Sequence, residues 1–246
     1  MTSKQFFLER IDPAGSRARL EGAEHHHLAR VARLKAGERI WVFDREGKRY
    51  LAEVEVIEKD RTCVRLVGPA MSADVGVGIT LGQALIKPAN MDLVVRKAAE
   101  LGVGAVVPLI TTRSLHGLSG DGEKKIERWR KIALEAAKQS RRSTATSIGP
   151  YTPLEGFAAV AAGERRFYLS ESGGTPLGEV LTGPGGSSAG PPDAVLLTGP
   201  EGGWAEAEET MLKNAGFEAV SLGRTVLRAE TATIIAIGMI VHFWGG

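Results

Sequence analysis

Leu196–Trp204 reads LLTGPEGGW. An apolar run passes straight into Gly-Pro, a single carboxylate, a Gly-Gly pair and a tryptophan. Taken with its upstream residues, DAVLLTGP (Asp193–Pro200) is short and apolar enough for a buried strand that ends in small polar residues. Two other strand-like stretches end the same way: RRFY runs into LSESGG (Leu169–Gly174), and EAV runs into SLGRTVLRAET (Ser221–Thr231). ITLGQALI and AVVPLI are further strand runs. Helical patterns separate them. NMDLVVRKAAELG carries a stop at Gly102, and EKKIERWRKIALEAAKQSRR places Ile126, Trp129, Ile132, Ala133 and Ala136 on one side. AEAEETMLKNAG and the apolar ETATIIAIGMIVHFW follow. The alternation predicts an α/β domain with a mainly parallel sheet and helices on both faces. Ligands of such sheets bind outside the carboxyl ends of the strands. The three small-polar tips form one rim if their strands are neighbours.

Residues 1–72 have a different texture. RIWVFD, RYLAEVEVIEK and TCVRLVGP are rich in β-branched and aromatic residues, with DREGKR (Asp44–Arg49) as a hairpin-type connection and a short helix at Glu24–Leu34. They predict a small β-barrel. GPAMSADVGVG marks the boundary, so residues 1–72 and 73–246 are read as two domains. TGPGGSSAGPPD (Thr182–Asp193) is read as a surface loop.

The 246 residues are 43% hydrophobic and 24% charged, a globular composition. No apolar run reaches the roughly 18 residues of a membrane span, and MTSKQFFLERIDP lacks the apolar core of a secretory signal, so a cytoplasmic protein is expected. The lone Cys63 reads as a buried structural thiol. His25-His26-His27 cannot all face one ion from a helix, so no metal is expected, and His27 is taken as the inward member. The net charge is +2, with Glu123–Arg142 carrying eight basic residues against three acidic ones. A polyanion contact is expected to use that segment and the N-terminal part. Arg30, Arg33, Lys35, Arg113, Arg141 and Arg142 are the candidate phosphate contacts.

The rim lacks the common nucleotide motifs: there is no G-x-G-x-x-G and no G-x-x-x-x-G-K-[ST]. Pro200 removes a backbone donor and Glu201 repels a pyrophosphate. A ligand with adenine, ribose and a positive centre fits better. S-adenosylmethionine has those parts, although charge alone does not select it.

LLTGPEGGW followed by LGRTVLRAETA resembles the SPOUT class of RNA methyltransferases. HHLARVARLKAGERIWVFD, RKAAELGVGAVVPLITTRS and RWRKIALEAAKQSRR, in that order, resemble the RsmE family, which methylates N3 of one uridine in bacterial 16S ribosomal RNA. The chain departs from the family pattern at Gln5, where an arginine often precedes the aromatic pair, so that Lys4 or Arg10 is expected to supply that charge to RNA, and at Ala32, where a larger apolar residue is usual. The resemblance implies a PUA-like N-terminal barrel and a trefoil-knotted C-terminal domain. It implies a homodimer acting on 16S ribosomal RNA or the small ribosomal subunit, with no membrane and no metal. It carries the S-adenosylmethionine contacts onto Leu197, Thr198, Gly199, Glu201, Gly202, Leu222, Gly223 and Leu227. LRAET supplies Arg228 as donor and charge, and Glu230 as base, positioner or helix cap. Trp204 is read as a core or lid residue. A related knotted methyltransferase of transfer RNA or a ribose 2′-hydroxyl, and a noncatalytic RNA-binding protein, are the alternatives.

Overall fold

The computed structural model describes residues 4–8, 11, 16–44, 48–68, 77–114, 122–140, 142, 144–183 and 192–245. Arg10, Arg141 and residues 184–191 of the proposed surface loop lie outside them. The chain forms two compact units, Met1–Val75 with Ala137–Ala145, and Gly76–Ala136 with Thr146–Gly246.

In the first unit β1 (Gln5–Phe7), β2 (Arg17–Glu21), β3 (Arg39–Phe43), β4 (Arg49–Ile57) and β5 (Arg61–Leu66) form a sheet in the order β1-β3-β4-β5-β2. β1 runs parallel to β3 and the other ladders are antiparallel. β2 alternates cleanly: Ala18 and Leu20 point inward, Arg17, Arg19 and Glu21 outward. With Phe6, Leu8, Ile40, Val42, Val54 and Val64 they make this unit's core. Each such large apolar side chain contributes about 1.5–3 kcal/mol when fully buried.

The N-terminal helix starts two residues before Glu24. α1 (Gly22–His26) runs on into a π-helical turn, His27–Val31. Leu28 is fully buried, and a residue three positions earlier shares its face, so His25 is the inward histidine, not His27. The His25 ring nitrogens lie 2.9 Å from Thr62 Oγ1 and 3.2 Å from the Lys59 carbonyl oxygen. His27 instead packs beside the Phe6 ring, centroids 5.5 Å apart. Arg33 ends the segment in the left-handed region, φ 51°. Cys63 on β5 is half-buried, not buried as expected. Ala137–Ala145 belongs with this unit, where Lys138 at the end of the basic helix forms a buried ion pair with Glu24. Glu24 also accepts the Phe7 N–H at 3.0 Å.

The second unit carries β6 (Ile79–Ala84), β7 (Ala105–Ile110), β8 (Ser147–Ile148), β9 (Thr152–Pro153), β10 (Arg165–Leu169), β11 (Thr175–Pro176), β12 (Ala194–Thr198) and β13 (Glu218–Ser221). Their order is β11-β13-β10-β12-β6-β7-β8, with β9 also on β7, and every ladder is parallel. The helices are α2 (Pro88–Leu101), α3 (Gly122–Gln139), α4 (Leu154–Val160), α5 (Leu177–Thr182), α6 (Glu206–Asn214) and α7 (Ala229–Trp244). α2 stops at Gly102, φ 88°.

β12 is buried along its whole length and alternates between two cores. Leu196 joins Leu81, Phe167, Met91, Trp129, Leu177 and Ile237, under α2, α3, α5 and α7. Val195 and Leu197 join Tyr168, Leu154, Phe157 and Leu212, under α4 and α6. Apolar side chains on both faces of one strand require helices on both sides of the sheet, as the alternation in the sequence predicts.

Candidate active site

β13, β10 and β12 are successive neighbours, so the carboxyl ends at Ser221, Leu169 and Thr198 sit side by side. The segments that leave them, 170–174, 199–205 and 222–228, close around one cavity of about 360 Å³ within the second unit. Ser170–Gly173, Thr198–Pro200, Gly202–Trp204 and Leu222–Leu227 line it, and Ala229 and Ala232 close the α7 side.

Four sets of hydrogen bonds hold the walls. Trp204, on the cavity wall but only 7% exposed, donates its indole N–H to the Leu169 carbonyl at 2.8 Å, tying the β12 loop to the β10 tip. Arg113 donates from Nη1 to the carbonyls of Gly202 (3.0 Å) and Trp204 (3.1 Å), bracing the same loop. Buried Glu208 accepts the backbone N–H of Ala205 at 2.8 Å and of Thr112 at 2.7 Å, satisfying an α6 N-terminal donor. Ser170 and Ser172 lie within 3.2 Å and 3.1 Å of Glu209 Oε1, fixing the β10 loop to α6.

At two glycines the geometry disfavours a side chain. A Cβ on Gly199 would sit 3.2 Å from the Trp204 ring, a tight contact that the indole would have to give way to. Gly223 has φ +113°, a conformation other residues adopt only under strain, and none of the described residues lies within 4 Å of where its Cβ would be. The β12 tip and the β13 loop thereby offer main-chain groups to the cavity without a side chain in the way.

Of the residues read as cofactor contacts, Thr198, Gly199, Gly202, Leu222, Gly223 and Leu227 line this cavity. Leu197 does not: its side chain is fully buried in the α4–α6 core, leaving only its main chain near the tip. Glu201 is also off the wall. It is exposed, and its carboxylate accepts from Asn90 Nδ2 at 3.4 Å. Arg228, exposed, stands at the N-cap of α7 between Leu227 and Ala229, both of which line the cavity. Glu230 is 8% exposed in the first turn of α7, and its Oε2 has no hydrogen-bond partner among the described residues. Arg113 lines the cavity, whereas Arg30, Arg33 and Lys35 are exposed on the first unit, and Arg142 there is half-buried. Among the described residues no group of three or more His, Cys, Asp or Glu could hold a metal, and no helix is long and apolar enough to cross a membrane.

Sequence reasoning missed Gln83, Thr233 and Glu209. Gln83 carried a signal, a lone amide within the strand run ITLGQALI. Burial pushes the Tyr168 phenol above its ordinary value, and the Glu209 carboxylate pushes it further the same way. The Tyr168 hydroxyl also has no hydrogen-bond partner among the described residues. It is therefore protonated at neutral pH and is no proton acceptor there.

Residues 75–241 match a family described as an RNA methyltransferase domain, and residues 20–67 match an RNA methyltransferase PUA domain. A Synechocystis sp. protein named ribosomal RNA small subunit methyltransferase E is 33% identical over 236 residues, 90% of this chain and 71% of the relative. The Mycobacterium bovis protein of the same name is 29% identical over 98% of this chain and 92% of its own. The crystal structure of a ribosomal RNA small subunit methyltransferase E from Neisseria gonorrhoeae, bound to S-adenosyl methionine, matches with a TM-score of 0.86 at 31% identity over 98% of each chain. A putative methyltransferase from Legionella pneumophila, in complex with the same cofactor, matches with a TM-score of 0.84 at 27% identity over 98% of this chain and 97% of its own. With its strand-tip cavity, its paired domains and this similarity along its length, the chain belongs to the ribosomal RNA small subunit methyltransferase E family.

Proposed function

We propose that the protein transfers a methyl group from S-adenosylmethionine to N3 of a uridine in 16S ribosomal RNA. The observation that carries the reading is the single cavity shared by Thr198, Gly199 and Gly223. Its volume of about 360 Å³ suits a bent nucleoside-sized ligand. Glycine main chain on two sides suits recognition by N–H and C=O groups, and Glu171 and Glu209 on the wall suit a cationic ligand. S-adenosylmethionine, when bound, supplies an electrophilic methyl on a sulfonium. Thr198, Gly199, Gly202, Leu222, Gly223 and Leu227 would hold it.

The protein's task is then to make uracil N3 nucleophilic and to hold it in place. N3 carries a proton, and losing it spreads negative charge onto O2 and O4. Exposed Arg228 at the cavity edge is suited to donate to those oxygens, lowering the energy of the anion. Glu230 is too buried to meet a base directly, which favours a positioning role for it over proton acceptance. Docking the uracil at the cavity mouth converts the transfer into an effectively unimolecular step.

RNA would be held by phosphate contacts from Arg30, Arg33, Lys35, Arg113 and Arg142, with Arg10 and Arg141 as further candidates. The left-handed backbone of Arg33 supports a functional use of that residue, because strain of this kind persists where structure serves function. Exposed Val226, Ile235 and Phe243, in or next to α7, support a homodimer that covers them. The proposal includes a cytoplasmic setting and a trefoil knot at the β13–α7 segment.

The test is mass spectrometry of 16S ribosomal RNA from a strain lacking the protein, before and after incubation with purified protein and S-adenosylmethionine. A methyl gained at uridine N3 upholds the reading. A methyl on a ribose 2′-oxygen or on transfer RNA replaces the substrate assignment, and no methyl with tight RNA binding points to the noncatalytic alternative.

A further inference from the structure

Gln83 is wholly buried on β6, directly opposite Thr198 in the β6–β12 ladder. Its Oε1 lies 2.7 Å from the Thr198 hydroxyl and 2.9 Å from the Thr233 hydroxyl on α7. Its Nε2 donates to the Ala84 carbonyl at 2.9 Å. That last bond fixes which way the amide points. Exchanging nitrogen and oxygen would set an acceptor against the Ala84 carbonyl, so the oxygen faces the two hydroxyls. Thr198 therefore donates to Gln83. Thr233 has one proton for two acceptors, Gln83 Oε1 and the Ala229 carbonyl at 2.8 Å.

The three side chains are polar among mainly apolar neighbours, and all are at most 1% exposed. A stability argument does not require them, since replacing every member of a buried polar set by apolar groups of the same shape can be nearly neutral. What the set does is geometric. Thr198 lies on one wall of the cavity, and Ala229 and Ala232 lie on the α7 wall, beside Thr233. Gln83 touches neither the cavity nor its mouth, yet it is bonded to both walls.

We propose that Gln83 is a positioning residue of the methyl-donor cavity, setting the spacing between the Thr198 strand tip and the first turn of α7 through the hydroxyls of Thr198 and Thr233. The proposal rests on the reading of that cavity as the cofactor site. Untied, α7 is free to settle against the sheet at a different depth, and displacements well under 1 Å disturb a site of this kind.

The experiment titrates S-adenosylhomocysteine by calorimetry into the full-length protein and into four variants, with thermal melts and steady-state kinetics alongside. The variants are Gln83→Met, Thr233→Ser, Thr233→Val and the triple Gln83→Met/Thr198→Val/Thr233→Val. Gln83→Met is expected to weaken binding about tenfold, as befits lost fixation by buried hydrogen bonds. Thr233→Ser keeps the hydroxyl and binds as wild type, whereas Thr233→Val does not. The triple variant leaves none of the three side chains with an unpaired polar atom, so its melting temperature recovers towards wild type while its affinity stays weak. KM for the cofactor rises more than kcat falls. Wild-type affinity in the folded triple variant, or equal affinity of Thr233→Val and Thr233→Ser, overturns the proposal. If the triple variant does not fold, the Thr233 pair decides alone. Wild-type protein that fails to bind S-adenosylhomocysteine overturns the cofactor reading itself, which a weakened variant does not.

Discussion

The indole N–H of Trp204 donates to the carbonyl of Leu169 across 35 residues of chain, at 2.8 Å. That bond joins the tips of two neighbouring strands, and the same ring covers Gly199. Trp204 therefore serves as a structural wall of the cavity, and its ring needs no base-stacking role to account for its place.

Trp204→Phe keeps an aromatic ring but deletes the donor. The Leu169 carbonyl loses its side-chain partner, at a cost of about 1 kcal/mol in stability. Calorimetry with S-adenosylhomocysteine is expected to show weaker binding as the β12 loop loosens. Unchanged affinity with lowered stability would mean that the bond supports the fold alone.

Gly223→Ala places a methyl group where none of the described residues lies within 4 Å, so sterics predict tolerance. The backbone predicts otherwise. At φ +113° an alanine is strained by about 1–3 kcal/mol, and the 222–228 loop relieves it by moving. Cofactor affinity is expected to fall while the far-ultraviolet circular dichroism spectrum stays the same. An alanine variant that binds like wild type refutes a main-chain role for this loop.

Arg33→Gly separates stability from RNA contact. Glycine takes the left-handed position without the side-chain penalty, for a net gain of roughly 0.5–1 kcal/mol after its larger unfolded-state entropy is counted. Denaturant melts are expected to shift upward. Filter binding to a 16S ribosomal RNA fragment is expected to weaken severalfold. A stabilised variant with undiminished RNA affinity removes Arg33 from the contact set.

Tyr168 makes stability depend on alkaline pH. Its folded-state value lies above the ordinary tyrosine value of about 10, because burial and Glu209 both oppose the phenolate. The folded protein thus holds this proton more tightly than the unfolded chain. The stabilisation is complete below pH of about 10 and is lost as pH rises from there through the folded value. Tyr168→Phe should flatten that decline. It also removes a buried hydroxyl that has no partner among the described residues, so the variant should be no less stable at pH 7. A wild-type stability profile that is level through pH 11 contradicts the burial argument.

Much of this arrangement was legible in the sequence, because strand tips announce themselves by composition. LSESGG, LTGPEGG and SLGRT each break an apolar run with small polar residues, and the chain brings all three to one rim. The side chains of Leu197 and Glu201 lie off the cavity wall for different reasons. Leu197 precedes the tip by one residue, and strand alternation sends its side chain to the other core. Glu201 sits at the crest of its turn and faces Asn90. His25 was readable from Leu28, three residues on, but three consecutive histidines hide the helical phase. Gln83 was the least visible. One amide among apolar residues gives no periodicity, and its partners lie 115 and 150 residues away.

The most direct measurement is a crystal structure of this chain grown with S-adenosylhomocysteine at saturating concentration. Ligand density in the cavity between Thr198–Trp204 and Leu222–Leu227, with main-chain atoms of Gly199 and Gly223 on either side, is the expected result. Density at another surface with this cavity empty would contradict it.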